Sequence, residues 1–156
     1  MNIRRVTEAD IPRMVAIAEA KRVEYEGYSP VLWRKASESA PKQELYFQRL
    51  LTGTDVIALV AETEATLLGF VMGVITTAPP VYNPGGLVCI VDDFAVGNPT
   101  EWGSVGAALL AAVEQEAKAR GAVLSVVVCA QQDQVKRTML RETGLTVASE
   151  WQVKPL

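Results

Sequence analysis

Two aspartates stand side by side in Val91-Asp92-Asp93-Phe94-Ala95-Val96, at the end of an otherwise apolar run. A carboxylate beside a cleft can accept a proton from an ammonium group, directly or through water, or anchor a cation. Adjacent strand residues point to opposite faces, so one carboxylate is expected in a cleft and the other on the far side of the sheet. The plainer alternative is that the pair only caps a strand end. Further along, Gly103-Ser104-Val105-Gly106 opens a helical pattern. Small residues there let backbone amides approach an anion closely, and the helix dipole adds favourable potential. A flexible strand-to-helix turn would look the same.

Other chemistry is excluded by what the chain lacks. It contains no histidine, which removes Ser-His and Cys-His nucleophile–base pairs and every His-ligated metal site; no metal is expected. Cys89 and Cys129 lie inside the apolar runs Leu87-Val88-Cys89-Ile90 and Val126-Val127-Val128-Cys129, where buried, inert thiols are expected. The net charge is −3 and the 15 Lys and Arg are scattered, so no basic footprint for nucleic acid or an anionic membrane is present. Met1-Asn2-Ile3-Arg4-Arg5 has no apolar leader core, and no apolar run approaches the roughly 18 residues of a membrane span. A cytoplasmic, reducing setting is expected.

The elements that must position these residues read as follows. Asn2 to Val6 is strand-like, and Thr7-Glu8-Ala9-Asp10 resembles a capping box before helically spaced Ile11, Met14, Val15, Ile17 and Ala18. The pattern breaks from Tyr25 to Ala40, where Tyr25, Tyr28 and Trp33 gather, and a second helix is predicted from Pro41 to Leu51. Val56–Ala61 and Leu67–Thr77 read as an antiparallel hairpin, and Leu87–Val96 as the next strand. A long helix should run from Gly103 to Arg120 and stop at Gly121. Ala122–Ala130 has the continuous apolar character of a buried strand. Asp133–Thr143 should form a helix closed by Gly144, and Leu145–Val153 a last strand. The order is β-α-α-β-β-β-α-β-α-β, a mixed α/β arrangement with no linker across 1–156, so one domain is expected.

In this register the chain resembles the GNAT acyltransferases. Their strand ending in Leu/Phe-x-Val is matched by Phe94-Ala95-Val96; their Arg/Gln-x-x-Gly-x-Gly/Ala helix opening by Glu101-Trp102-Gly103-Ser104-Val105-Gly106; and their following Leu-Leu pair by Leu109-Leu110. The resemblance extends to the Thr-x-x-Asp helix start and to the tail Gly144-Leu145 and Ser149-Glu150-Trp151. It implies the GNAT fold, a central, mostly antiparallel sheet flanked by helices. It also implies transfer of an acetyl group from acetyl-CoA to a primary amine by direct attack, with a homodimer as a further partner. The amides from Trp102 to Gly106 would hold the pyrophosphate, the Phe94 or Ala95 amide, splayed by a bulge, would polarise the thioester, and Asp92 or Asp93 would act as base or substrate anchor. Tyr25, Tyr28 and Trp33 fall in the segment that lines the acceptor pocket in relatives, and are equally readable as core anchors.

Four positions depart from the family pattern. Glu101 replaces the usual Arg or Gln, placing a repulsive carboxylate near the pyrophosphate, worth about 1 kcal/mol at a screened site. Ser104 replaces a glycine, Asp133 stands where an Asn commonly contacts CoA, and Leu140 stands where a Tyr commonly protonates the leaving thiolate. Glu101 and Leu140 keep open a second reading, a GNAT-fold module that binds acyl-CoA or regulates a partner without turnover. A Rossmann-like nucleotide site fits less well, because the Val56–Thr77 hairpin breaks βαβ alternation.

Overall fold

The computed structural model describes residues 1–64 and 66–156. Five strands, β1 (Asn2–Arg5), β2 (Val56–Glu62), β3 (Leu67–Thr76), β4 (Leu87–Val96) and β5 (Ala122–Val127), lie side by side in that order. Neighbours from β1 to β4 are antiparallel, and β5 runs parallel to β4. The fold is therefore the mixed, mostly antiparallel α/β sheet that the sequence predicts.

Helices α1 (Ile11–Tyr28) and α2 (Ser39–Leu50) cover one face, burying Ile11, Met14 and Phe47 against Val60, Phe70 and Met72. Helices α3 (Ala107–Ala119) and α4 (Gln134–Glu142) cover the other, where Leu109, Leu110, Val113 and Met139 pack on Val71 and Val91. Each fully buried side chain of this size contributes about 1.5–3 kcal/mol of transfer free energy. The start of α1 is held by Asp10: the Thr7 amide donates to its Oδ2 at 2.8 Å, and Arg4 reaches the same carboxylate at 2.7 and 2.9 Å.

Several boundaries differ from the sequence reading. Helix α1 continues through Tyr25 to Tyr28, because after Pro12 in its first turn no proline interrupts the backbone donors before Pro30. The long helix opens not at Gly103 but with a tight turn at Pro99–Glu101 and one wide turn at Trp102–Gly106, becoming regular α3 at Ala107. β5 ends at Val127 rather than Ala130, and it is not buried: Leu124 is 49% and Val126 42% exposed. It is the sheet's edge, covered on one face only. The expected last strand, Leu145–Val153, is absent; residues 145–156 have no secondary structure, and Trp151 is 79% exposed. The segment has the composition of a strand but pairs with no strand among the described residues.

Candidate active site at the β4 bulge

The two aspartates do not straddle the sheet. Gly73 pairs with Val91 and Val71 with Phe94, so Asp92 and Asp93 together oppose the single residue Met72. This two-against-one bulge swings both carboxylates to one side. They line the same cleft, of about 220 Å³, with Tyr25, Trp33, Gln43 and Lys136. The expectation of opposite faces is corrected by the bulge, which lies one or two residues before the predicted Phe94–Ala95 position.

Asp92 is exposed and Asp93 half-buried. Burial, reinforced by the Asp92 charge, pushes the Asp93 carboxyl up to about 6. Gln43, one turn before the core residue Phe47 on α2, donates from Nε2 to Asp93 Oδ1 at 2.9 Å. Its other end, Oε1, is buried with no partner among the described residues. An unpaired buried acceptor is costly unless something else supplies the donor. Beside Asp93, it asks for an N–H group.

Behind the acids, β4 and β5 part. Their last contacts are the Val91–Val127 pairing and Val128 N–H to Val91 O at 2.9 Å. Past that point the Lys136 ammonium spans the gap, donating to Phe94 O at 3.3 Å and Val128 O at 3.0 Å. It lies 5.1 and 5.2 Å from the ring centres of Phe94 and Trp102, within cation–π range. The residue is 2% exposed, and this burial holds its pKa below the usual lysine value. Lys136 escaped the sequence reading. The signal was present: it shares the face of α4 with Met139 and Leu140, so an ammonium falls on an apolar stripe.

Asp133 is also buried, but toward α1. It caps α4 by accepting from Lys136 N at 3.2 Å, pairs with Lys21 at 2.7 Å, and accepts from the Tyr25 hydroxyl at 3.3 Å. These partners occupy its carboxylate and give it a structural role. The Tyr25 hydroxyl in turn accepts from Ala130 N at 3.4 Å, and burial raises its pKa well above the phenol range. Tyr25, Tyr28 and Trp33 do form one cluster, with ring centres 5.6 and 4.9 Å from Tyr25. Tyr25 and Trp33 face the cleft, while the Tyr28 hydroxyl is turned to Glu24. Leu140 is part of the core, and no acid stands in its place.

At the helix opening, Trp102 turns inward. Its ring is 1% exposed and meets Phe94 edge-on at 4.8 Å, leaving only its backbone available to a ligand. Gly106 lies under that ring: a Cβ there would come within 2.5 Å of Trp102 Cε3. Val105 is buried with it, whereas Gly103 and Ser104 are exposed and the Ser104 hydroxyl donates to Glu101 O at 3.3 Å. A side chain at Gly103 would meet nothing within 4 Å, so this turn has room for a bulky anion. Ala95 and Val96 complete the buried end of β4. Among the described residues no cluster of metal-ligating side chains occurs, and Cys89 and Cys129 are free thiols. Burial pushes the Cys89 thiol up to about 11 and raises that of Cys129.

The same architecture is found in solved structures. A predicted acetyltransferase with acetyl-CoA from Clostridium acetobutylicum superposes with TM-score 0.75 at 20% identity, covering 99% of this chain and 95% of its own. An aminoglycoside 6'-N-acetyltransferase from Acinetobacter haemolyticus gives 0.74 at 15% identity, covering 100% and 99%. The chain has the GNAT fold. A transcriptional regulator from Bacillus halodurans matches that fold too, with TM-score 0.74 at 18% identity over 99% of both chains. No family model matches the sequence, and no curated protein does. In the GNAT fold of this chain, β4 carries the acidic bulge and parts from β5 beyond Val91, and the helix opening follows β4 in the chain.

Proposed function

We propose that this chain is a one-domain, acetyl-CoA-dependent N-acetyltransferase that acts on a primary amine. The observation that carries this reading is the bulge at Asp92–Asp93, which sets a carboxylate with a raised pKa and the unpaired Gln43 Oε1 at the mouth of the β4–β5 gap. A protonated amine has N–H donors for both acceptors. Similarity to a structure described with acetyl-CoA supports the choice of acyl donor.

The residues fit such a donor. Beyond the Val91–Val127 pairing the parted ends of β4 and β5 offer backbone groups to an extended chain, which would share the gap with the Lys136 ammonium, and the open turn at Gly103–Ser104, at a helix N-terminus, suits a pyrophosphate. Glu101 weakens this end without blocking it. When bound, acetyl-CoA would supply the acyl group as a thioester. Asp93, ionised above about pH 6, takes the proton that the ammonium must lose before its nitrogen can attack. As the new C–N bond forms and the C–S bond breaks, the nitrogen would shed its second proton to solvent, and the Lys136 ammonium in the gap would give its proton to the leaving sulfur and regain one from solvent. This assigns to Lys136 the work that Leu140 cannot do. Asp92, more exposed, attracts the cationic acceptor; Tyr25 and Trp33 wall its site. The free thiols Cys89 and Cys129 accord with a reducing cytoplasm.

The test is release of CoA thiol from acetyl-CoA across a panel of primary amines, with wild type and Asp93→Asn side by side. Turnover by the wild type that collapses in the variant supports transfer. Acetyl-CoA binding without turnover on any amine would favour the regulatory module, the reading to which Glu101 and Leu140 point.

A further inference from the structure

A second cavity, of about 280 Å³, adjoins the acidic cleft and shares Arg22, Tyr25 and Trp33 with it. The first cavity is lined by Asp92 and Asp93. The second is lined by Arg22, Arg34, Lys35 and Ser39, and among the described residues no carboxylate stands on its wall. In a chain of net charge −3, three cations around one cavity are a local reversal of sign.

The chain holds these cations in place. After α1 ends, Trp33 N–H donates to Ser29 O at 2.8 Å, and the Trp33 ring packs on Tyr25. Glu19, one turn before Arg22 on α1, accepts from Arg22 at 2.6 Å, Lys35 at 2.6 Å and the Ser39 hydroxyl at 2.7 Å. Burial alone would raise the Glu19 carboxyl, but the bonds from Lys35, Ser39 and Arg22 hold it down at about 2. It is therefore charged, and it fixes two cations without neutralising three. Glu26, also close, is turned to the Lys35 backbone amide at 3.3 Å. Arg34 is exposed and has no ion-pair partner among the described residues. Its guanidinium is a planar fork of donors, the shape that takes a carboxylate with two parallel bonds.

We propose that the amine taken at Asp93 carries a carboxylate at its far end, and that Arg34, flanked by Lys35 and Arg22, binds that carboxylate in the second cavity. The ammonium end of this assignment rests on the acetyl-transfer reading; the carboxylate end does not. The acceptor's two charges then match the two ends of the site, and its spacer passes the rings of Tyr25 and Trp33 on the shared wall. An α-amino acid, with both groups on one carbon, does not bridge two cavities; an ω-amino acid or a dipeptide does. Each cavity alone is smaller than the roughly 300 Å³ at which small-molecule sites begin, and joined they fall within that range. Arg34 is thus a specificity residue, remote from the reacting atoms.

The test uses matched probes: ω-amino acids from β-alanine to ε-aminocaproate and the dipeptide glycylglycine, each against its own primary amide. Binding is read by calorimetry and turnover by release of CoA thiol from acetyl-CoA. At least one acid should bind about tenfold or more tighter than its amide, the gap a charge-assisted contact supplies. Arg34→Gln should erase that gap, raising KM for the acid about tenfold with kcat little changed, and Arg34→Lys should keep part of it. Arg34 lies outside the helices and strands, so neither substitution should shift the denaturant midpoint. Amides that bind and react as well as the acids overturn the proposal, as does a preference that survives Arg34→Gln or a failure of every acid to bind. Acids that bind through Arg34 but are never acetylated uphold the carboxylate site and overturn the acetyl-transfer reading instead.

Discussion

On the α3/α4 face of the sheet, Val71, Val91, Leu109 and Leu110 are wholly shut from solvent. On the α1/α2 face the same strands begin apolar at Val60 and Phe70 but end in Asp92, Asp93 and the exposed stripe of β5. One face is sealed, and the other is sealed only over β2 and β3. The difference lies at β4, where a single inserted residue turns two carboxylates outward and the strands separate around Lys136. The open face holds buried charge and an unpaired acceptor, features that a fold tolerates where it binds something.

The contrast can be broken most severely from the closed side. Trp102 belongs to that side although the sequence places it in a ligand-binding turn. Trp102→Ala should cost about 3–5 kcal/mol, read as a lower denaturant midpoint. A loss below about 0.5 kcal/mol would mean the ring is not part of the core.

On the open side the same kind of measurement should give the opposite sign. The Asp93 pKa rises from 3.8 in the unfolded chain to about 6 in the fold. The folded state therefore binds the extra proton, and stability falls as pH rises between those values. Above pH 6 the charged carboxylate is a burden, so Asp93→Asn should raise stability at pH 7 by about 1–3 kcal/mol. The same substitution should lower turnover by about 10²–10⁴-fold, and the wild-type rate should climb through pH 6 as the base ionises. A variant that is both less stable and fully active would show that Asp93 is an ordinary structural acid.

Lys136→Met tests the gap between the strands. Turnover should fall by about 10²-fold with KM for acetyl-CoA little changed; a large rise in KM with kcat intact would make Lys136 a staple between Phe94 O and Val128 O instead.

The smallest effect belongs to the Arg4–Asp10 pair, far from the cleft. Arg4 holds the Asp10 carboxyl down at about 2 against an ordinary 3.8. Its contribution, about 1 kcal/mol after screening, is present above pH 3.8 and lost as pH falls toward 2. Acid titration of Asp10→Asn should lack that step.

What the sequence made legible follows from local rules. Apolar runs rich in β-formers and bounded by turn residues placed β2, β3 and β4, and Gly121 and Gly144 marked the ends of α3 and α4. The Asp92–Asp93 pair and the small residues at 103–106 were found by their chemistry. The resemblance implied a bulge near Phe94–Ala95, but its place at Asp92–Asp93 was not legible, because two residues opposing one is a property of the β3 register and not of β4 alone. β5 misled because a continuous apolar run is also what an uncovered edge looks like. Residues 145–153 read as a strand for sound reasons, but a strand needs a neighbour, and no pattern within the segment names it. Lys136 and Gln43 were passed over because polar residue types suggest solvent, while their helical positions, beside Met139–Leu140 and Phe47, placed them inside.

The central claim is that the open end of β4 holds acetyl-CoA, and calorimetric titration with acetyl-CoA of wild type and Glu101→Gln tests it most directly. Micromolar binding by the wild type, tightened about fivefold in the variant as ~1 kcal/mol of repulsion is removed, is the predicted result. Failure of both proteins to bind acetyl-CoA would contradict it.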